Sequence, residues 1–124
     1  MISHLSLGVR DLGRSGDFYD AILAPLGVVR VWESETGLGY GPPGGNDKLA
    51  LFEVKEDVRL AAGPRFHLAF SAPSPEAVDA FYDAAITNGG HCEGRPGIRE
   101  RYGPDYYAAF IRDLDGHKLE AKSE

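Results

Sequence analysis

Two histidines and two glutamates are the residues whose types and spacing could do chemistry together. His4 opens His4-Leu5-Ser6-Leu7, and His67 opens His67-Leu68-Ala69-Phe70, 63 residues later. The same offset carries Phe18-Tyr19-Asp20-Ala21 onto Phe81-Tyr82-Asp83-Ala84 and Gly27 onto Gly90. Several identities at one shift mark an internal repeat of about half the chain. A lone histidine on the less apolar side of a strand is more often a hydrogen-bonded structural residue than a ligand. A repeat-related pair differs, because an ion near the pseudo-twofold axis needs donors from both halves. Symmetry extended to the last strand of each half adds a carboxylate from each: Glu120 in Lys118-Leu119-Glu120-Ala121 and Glu53 in Leu51-Phe52-Glu53-Val54. Two imidazoles with one or two carboxylates form a mixed nitrogen and oxygen set suited to Zn, Mn, Ni or Fe(II).

The two carboxylates are unequal. Glu120 follows the turn signal Asp113-Leu114-Asp115-Gly116, and Leu119 and Ala121 face away from it, so its side of the strand is defined. Glu53 stands 49 residues after His4, whereas Glu120 stands 53 after His67, so their correspondence needs a four-residue gap. A solvated charge on an edge strand is an equal reading of Glu53. Asp57 fits the ungapped register better but lies in the charged run 53–57, which reads as surface.

The elements that must position these groups can be read from periodicity. From Ile2 to Val9, Leu5, Leu7 and Val9 share one face and His4, Ser6 and Gly8 the other, the period of a half-buried strand. Asp11 is a helix N-cap before an amphipathic segment carrying Phe18, Tyr19, Ile22, Leu23 and Leu26, closed at Pro25 and Gly27. Strands follow at Val28–Trp32, Gly37–Gly41 and Leu49–Val54, split by turn-forming stretches. The second half repeats this order. Phe66, Leu68 and Phe70 take the greasy face; Ser74-Pro75 starts a helix with buried stripe Val78, Phe81, Tyr82, Ala85 and Ile86; Gly89-Gly90 ends it. Short strands are expected at His91–Glu93, Tyr106–Arg112 and His117–Lys122, with residues 94–105 a long, Arg- and Gly-rich mobile loop. The predicted class is α+β: one domain of two tandem βαβββ modules, about 2–58 and 65–122 with a linker at 59–64, forming a curved mixed sheet around a cleft. Both histidines are expected to point into that cleft.

Composition narrows the function classes. With 124 residues, 43% of them apolar, the chain can bury one real core. Thirteen Lys and Arg against 19 Asp and Glu give a net charge of −6, which argues against nucleic acid. No apolar run approaches membrane-spanning length and no signal pattern opens the chain, so a cytoplasmic protein is expected. Cys92 has no intrachain partner and reads as a small buried hydrophobe, and His117 as a surface turn residue.

The opening His4-Leu-Ser-Leu-Gly-Val-Arg-Asp-Leu with Arg14-Ser15 and Asp17-Phe18-Tyr19, the repeated His67-Leu-Ala-Phe, and the closing Ala109-Phe-Ile-Arg-Asp-Leu-Asp-Gly through Glu120 resemble the vicinal oxygen chelate superfamily. That group includes glyoxalase I, bleomycin-resistance proteins and extradiol dioxygenases, and the resemblance covers nearly the whole chain. It implies paired βαβββ modules, often in a homodimer, with one divalent metal ion per site (Zn, Ni, Mn, Co or Fe(II)) and no organic cofactor. By position, His4, His67 and Glu120 match the metal ligands. Glu53 looks like the carboxylate that, in glyoxalase I, both binds metal and moves the substrate proton.

The resemblance points first to a glyoxalase-type lyase or isomerase acting on a small α-oxo or vicinal dioxygenated substrate. A metal there chelates two adjacent oxygens, and a base, here Glu53, moves a proton beside the carbonyl. Two alternatives stand beside it. An Fe(II) extradiol-type dioxygenase needs only two His and one Glu, with Tyr106 or Tyr107 as acid–base helpers and His91 and His117 to spare. A bleomycin-resistance-type binding protein would draw on the acidic balance and on Trp32, Tyr40, Tyr102, Tyr106 and Tyr107 as stacking surfaces for a cationic ligand. Tyr106, Tyr107, Arg95 and Arg99 are the candidate substrate-binding residues. Arg95, Arg99 and Arg101 either grip an anionic substrate or simply keep their loop soluble. Should modules exchange between subunits, His4 and Glu53 of one chain would complete a site with His67 and Glu120 of the other.

Overall fold

Asp11 and Ser74 start the two helices, and each does so with its own side chain. Asp11 Oδ1 accepts from Arg14 N at 3.1 Å and Ser74 Oγ from Ala77 N at 3.1 Å, satisfying amide groups that the first helical turn leaves without partners. A computed structural model describes the whole chain, Met1–Glu124. The first half runs β1 (Leu5–Val9), α1 (Leu12–Leu23), β2 (Val29–Glu33), β3 (Gly37–Gly41) and β4 (Leu49–Glu53). The second runs β5 (Leu68–Ser71), α2 (Pro75–Thr87), β6 (His91–Ile98), β7 (Tyr107–Arg112) and β8 (Lys118–Ser123). Both halves are therefore βαβββ modules, as the repeat predicts. Their sheets have matching orders, β1-β4-β3-β2 and β5-β8-β7-β6, with a parallel pair (β1 with β4, β5 with β8) in an otherwise antiparallel arrangement.

Each helix lies on one face of its own sheet, and the two helices also pack on each other. Phe18, Tyr19, Ile22 and Leu23 of α1 and Val78, Phe81 and Ala85 of α2 are almost wholly excluded from solvent and join Leu51, Ile111 and Leu119 in one core. Burying a side chain of this size contributes about 1.5–3 kcal/mol, so the helix faces rather than the sheet edges unite the modules. A single cleft shared by the two open faces is not what this packing produces. The cavity beside His67 is lined by residues between Arg59 and Glu120 alone, with none from the first module.

A polar lock joins the halves at the turn between β7 and β8. Buried Tyr19 donates to Asp113 Oδ2 at 2.5 Å, and Asp113 Oδ1 accepts from the backbone of Asp115 and His117, both at 2.9 Å. His117 Nε2 donates to the carbonyl of Gly8 in β1 at 2.7 Å. His117 is thus a buried cross-module strut, not a surface residue: it is 6% exposed. Burial, then the Asp113 charge and hydrogen bond, hold the Tyr19 phenol well above its ordinary pKa.

Two further expectations are corrected. β6 continues to Ile98 through the segment read as a loop, because register shifts at 92–94 and 94–97 absorb Gly94, Pro96 and Gly97 while pairing with β7 is kept. Cys92 is exposed, since its strand is the outer one of the second sheet. No helix is long and apolar enough to cross a membrane.

Candidate metal centre

His67 and Glu120 meet. His67 immediately precedes β5, and Glu120 lies in the neighbouring strand β8, where it pairs with Ala69. Leu119 and Ala121 turn into the core, so alternation sends Glu120 to the open face. His67 Nε2 lies 2.9 Å from Glu120 Oε1, and the Tyr106 hydroxyl donates to Glu120 Oε2 at 2.7 Å. The Glu120 side chain is 4% exposed and the His67 side chain 38%, so the carboxylate forms the floor and the imidazole the accessible edge. The His67 ring packs edge-on against Phe110, centroids 5.6 Å apart. Burial and the Glu120 hydrogen bond raise the Tyr106 pKa, which makes this phenol a hydrogen-bond donor and not a base.

These residues fit a metal as far as one chain goes. Neighbouring N and O ligands bound to a common ion at about 2.0–2.2 Å each stand close to 3 Å apart, and the observed 2.9 Å agrees. No group of three or more His, Cys, Asp or Glu side chains gathers within the chain. His4, immediately before β1, is exposed, and its only side-chain hydrogen bond is to Ser3, 3.0 Å from Nδ1. It occupies in the first module the place His67 holds in the second.

The structure puts Glu53 on the other side of its sheet. Glu53 shares strand parity with Leu49 and Leu51, which are core residues, and its Oε1 accepts from Leu12 N at 3.4 Å at the start of α1. The residue equivalent to Glu120 is Ala50: Ser6 pairs with Ala50 in β1–β4 as its repeat-mate Ala69 pairs with Glu120 in β5–β8. The true gap between the halves is seven residues and not four, since Ala50 stands 46 residues after His4 and Glu120 stands 53 after His67. Asp57 lies beyond β4 and is exposed.

The other candidates divide. Tyr106 and Arg99 line the cavity. Tyr107 does not: it lies on the helix side of β7 and donates to Asp79 Oδ1 of α2 at 2.6 Å, which raises its pKa. Arg95 is exposed, outside the cavity lining, with its charge felt at Tyr82 of α2. Alternation along β6 was unreadable from sequence because of the bulges, and Tyr106-Tyr107 necessarily straddles both faces of a strand. Sequence reasoning missed Lys118 and Phe110, although their parity with Glu120 on paired strands was the available signal.

The open face of the first module is paved with Gly37, Gly39 and Gly41, and Trp32 lies flat on it. A Cβ at Gly39 would fall 2.0 Å from Trp32 Nε1, so only glycine admits the indole there. Phe52, 42% exposed, stands beside it with ring centroids 6.0 Å apart.

The family model of the Glyoxalase/Bleomycin resistance protein/Dioxygenase superfamily matches residues 1–121. The chain belongs to this superfamily. A crystal structure of a glyoxalase/bleomycin resistance protein from Albidiferax ferrireducens is 38% identical, superposes with a TM-score of 0.81, and the match covers 98% of this chain and 97% of that one. A glyoxylase/bleomycin resistance protein/dioxygenase domain from Frankia is 27% identical over 99% of this chain and 90% of that one, with a TM-score of 0.71. The fosfomycin resistance protein FosX of Listeria monocytogenes shares the fold at 19% identity, with a TM-score of 0.71 over 100% of this chain and 93% of that one. No curated protein matches the sequence.

Proposed function

We propose that this superfamily member is a metal-dependent enzyme of the glyoxalase-like lyase/isomerase kind, active as a homodimer on a small α-oxo or vicinal dioxygenated substrate. The observation that carries the reading is the 2.9 Å approach of His67 Nε2 to Glu120 Oε1 at the floor of a large open cavity. His67 and Glu120 would hold the ion from one side, and the partner's His4 from the other. Because α1 and α2 pack together and leave both open faces uncovered within a chain, the first module of a second copy is free to close over the second module of the first. A twofold axis makes two such sites. A divalent ion there would act as a Lewis acid on two adjacent substrate oxygens. Tyr106, protonated, would turn its single O–H from Glu120 Oε2, once an ion takes that carboxylate, to oxygen charge developing on the substrate. Trp32 and Phe52 of the covering module would exclude water from above.

With Ala50 in place of a second carboxylate, the donor set has two His and one Glu. This set also favours a second reading, Fe(II) oxygen chemistry, for which such a facial triad suffices. Glu53 has no part in either reading, since its carboxylate meets the start of α1.

Mixing two inactive variants tests the arrangement. His4→Ala and Glu120→Ala each remove a ligand from every site of their own homodimer. Unfolded together and refolded, they form mixed dimers with one intact site of two, so metal content recovers to roughly a quarter of wild type if subunits pair at random. No recovery, or stoichiometric metal in either variant alone, overturns the proposal. Oxygen uptake with catechols after anaerobic iron loading decides for the second reading.

A further inference from the structure

The cavity against His67 and Glu120 is cationic in an acidic protein. Its lining carries Arg59, Arg65, Arg99, Arg101, Arg112 and Lys118 against only two carboxylates, Glu93 and Glu120, although the whole chain has a net charge of −6. The two carboxylates neutralise little of it. Both oxygens of Glu120 are taken by His67 and Tyr106, and Glu93 pairs with Arg112 at 3.2 Å. Arg59, Arg65, Arg99, Arg101 and Lys118 make no ion pair.

Two of these cations, Arg99 and Lys118, are held in place. Arg99 donates to the carbonyls of Gly97 at 3.0 Å and Arg95 at 2.7 Å, and its guanidinium sits 5.6 Å from the centroid of Phe110. Lys118 Nζ stands 5.4 Å from the same centroid, and His67 5.6 Å. One ring thus gathers two unpaired cations beside the proposed metal ligand. Lys118 is also directly opposite Arg112 in the β7–β8 ladder. Arg112 already has Glu93 as its partner, so Lys118 is the cation of this pair left open to an anion.

We propose, resting on the metal-centre reading above, that the substrate is an anion whose carboxylate or phosphate group, several atoms from the chelated oxygens, is held by Arg99 and Lys118 beside Phe110. Arg59, Arg65 and Arg101 line the approach and draw the anion in. The bleomycin-type alternative, which wants a cationic ligand, meets the wrong sign of charge.

Two probes with the same chelating head separate the anion grip from the metal. 2-Oxoglutarate and 2-oxopentanoate both present an α-oxo acid, and only the first carries a distant carboxylate. Titrated calorimetrically into the metal-loaded dimer, 2-oxoglutarate binds about tenfold tighter or more, a difference of ~1.4 kcal/mol. In Lys118→Gln and Arg99→Gln that preference collapses while 2-oxopentanoate binding is unchanged, and Lys118→Arg retains it. Equal affinities in the wild type, or a preference that survives both substitutions, overturn the proposal. Inorganic phosphate titrated into chelator-treated protein tests the grip without any metal. Saturable binding lost in Lys118→Gln supports it even if the metal reading fails, and absence of binding there counts against it even if the metal reading holds.

Discussion

Ala50 and Glu120 occupy the same place in the two modules: each lies opposite the second residue after its histidine, Ala50 opposite Ser6 and Glu120 opposite Ala69. The duplication has kept both imidazoles and only one carboxylate at the open faces. Glu53 instead meets the amide of Leu12. Glu120→Ala is therefore expected to abolish stoichiometric metal in elemental analysis, whereas Glu53→Ala keeps it. The cost of Glu53→Ala is to the start of α1, about 0.5–1 kcal/mol by denaturant unfolding.

Tyr106 is held by Glu120 and kept protonated by burial and that hydrogen bond. Tyr106→Phe preserves the ring and removes the donor. Metal content should be retained while kcat falls by about a hundredfold, the loss typical of one donor to developing oxygen charge. A fall in metal content equal to the fall in rate would show that Tyr106 only props Glu120.

Tyr19 gives the fold an alkaline limit. Its folded pKa is raised, so the folded state keeps the proton when the unfolded chain, with an ordinary phenol near pH 10, has lost it. The stabilisation is complete below about pH 10 and declines as pH rises above it toward the folded pKa. Tyr19→Phe should flatten that decline and, by leaving Asp113 Oδ2 without its donor, lower stability at neutral pH by about 1–3 kcal/mol. Chemical unfolding at pH 8 and pH 11 measures both.

Gly39 is the floor under Trp32, the single tryptophan of the chain. Gly39→Ala should lift the indole from the sheet, shifting its emission to the red and costing about 1–3 kcal/mol by overpacking. Gly44→Ala is not an equivalent control, since Gly44 has φ of +73°; Gly63→Ala, with open space around it, should leave the emission unchanged.

The repeat made much of the fold legible. The offset between His4 and His67, the caps Asp11 and Ser74 and the alternating strands determine two βαβββ modules, because each is a local pattern that backbone geometry converts directly into an element. Glu120 was legible for the same reason: Leu119 and Ala121 fix its side of β8. What the chain's own order could not supply was register between strands distant in sequence. A one-residue slip reverses every side chain, so Glu53 was matched to Glu120 when the pairing of β1 with β4 gives that place to Ala50. Tertiary structure also decided that α1 packs on α2, which leaves the two open faces without a shared cleft within the chain, and that His117 is buried beneath Gly8. The cationic character of the cavity is of the same kind. Arg59, Arg99 and Lys118 are scattered through an acidic sequence, and only the folded sheet and its linker bring them around one ring.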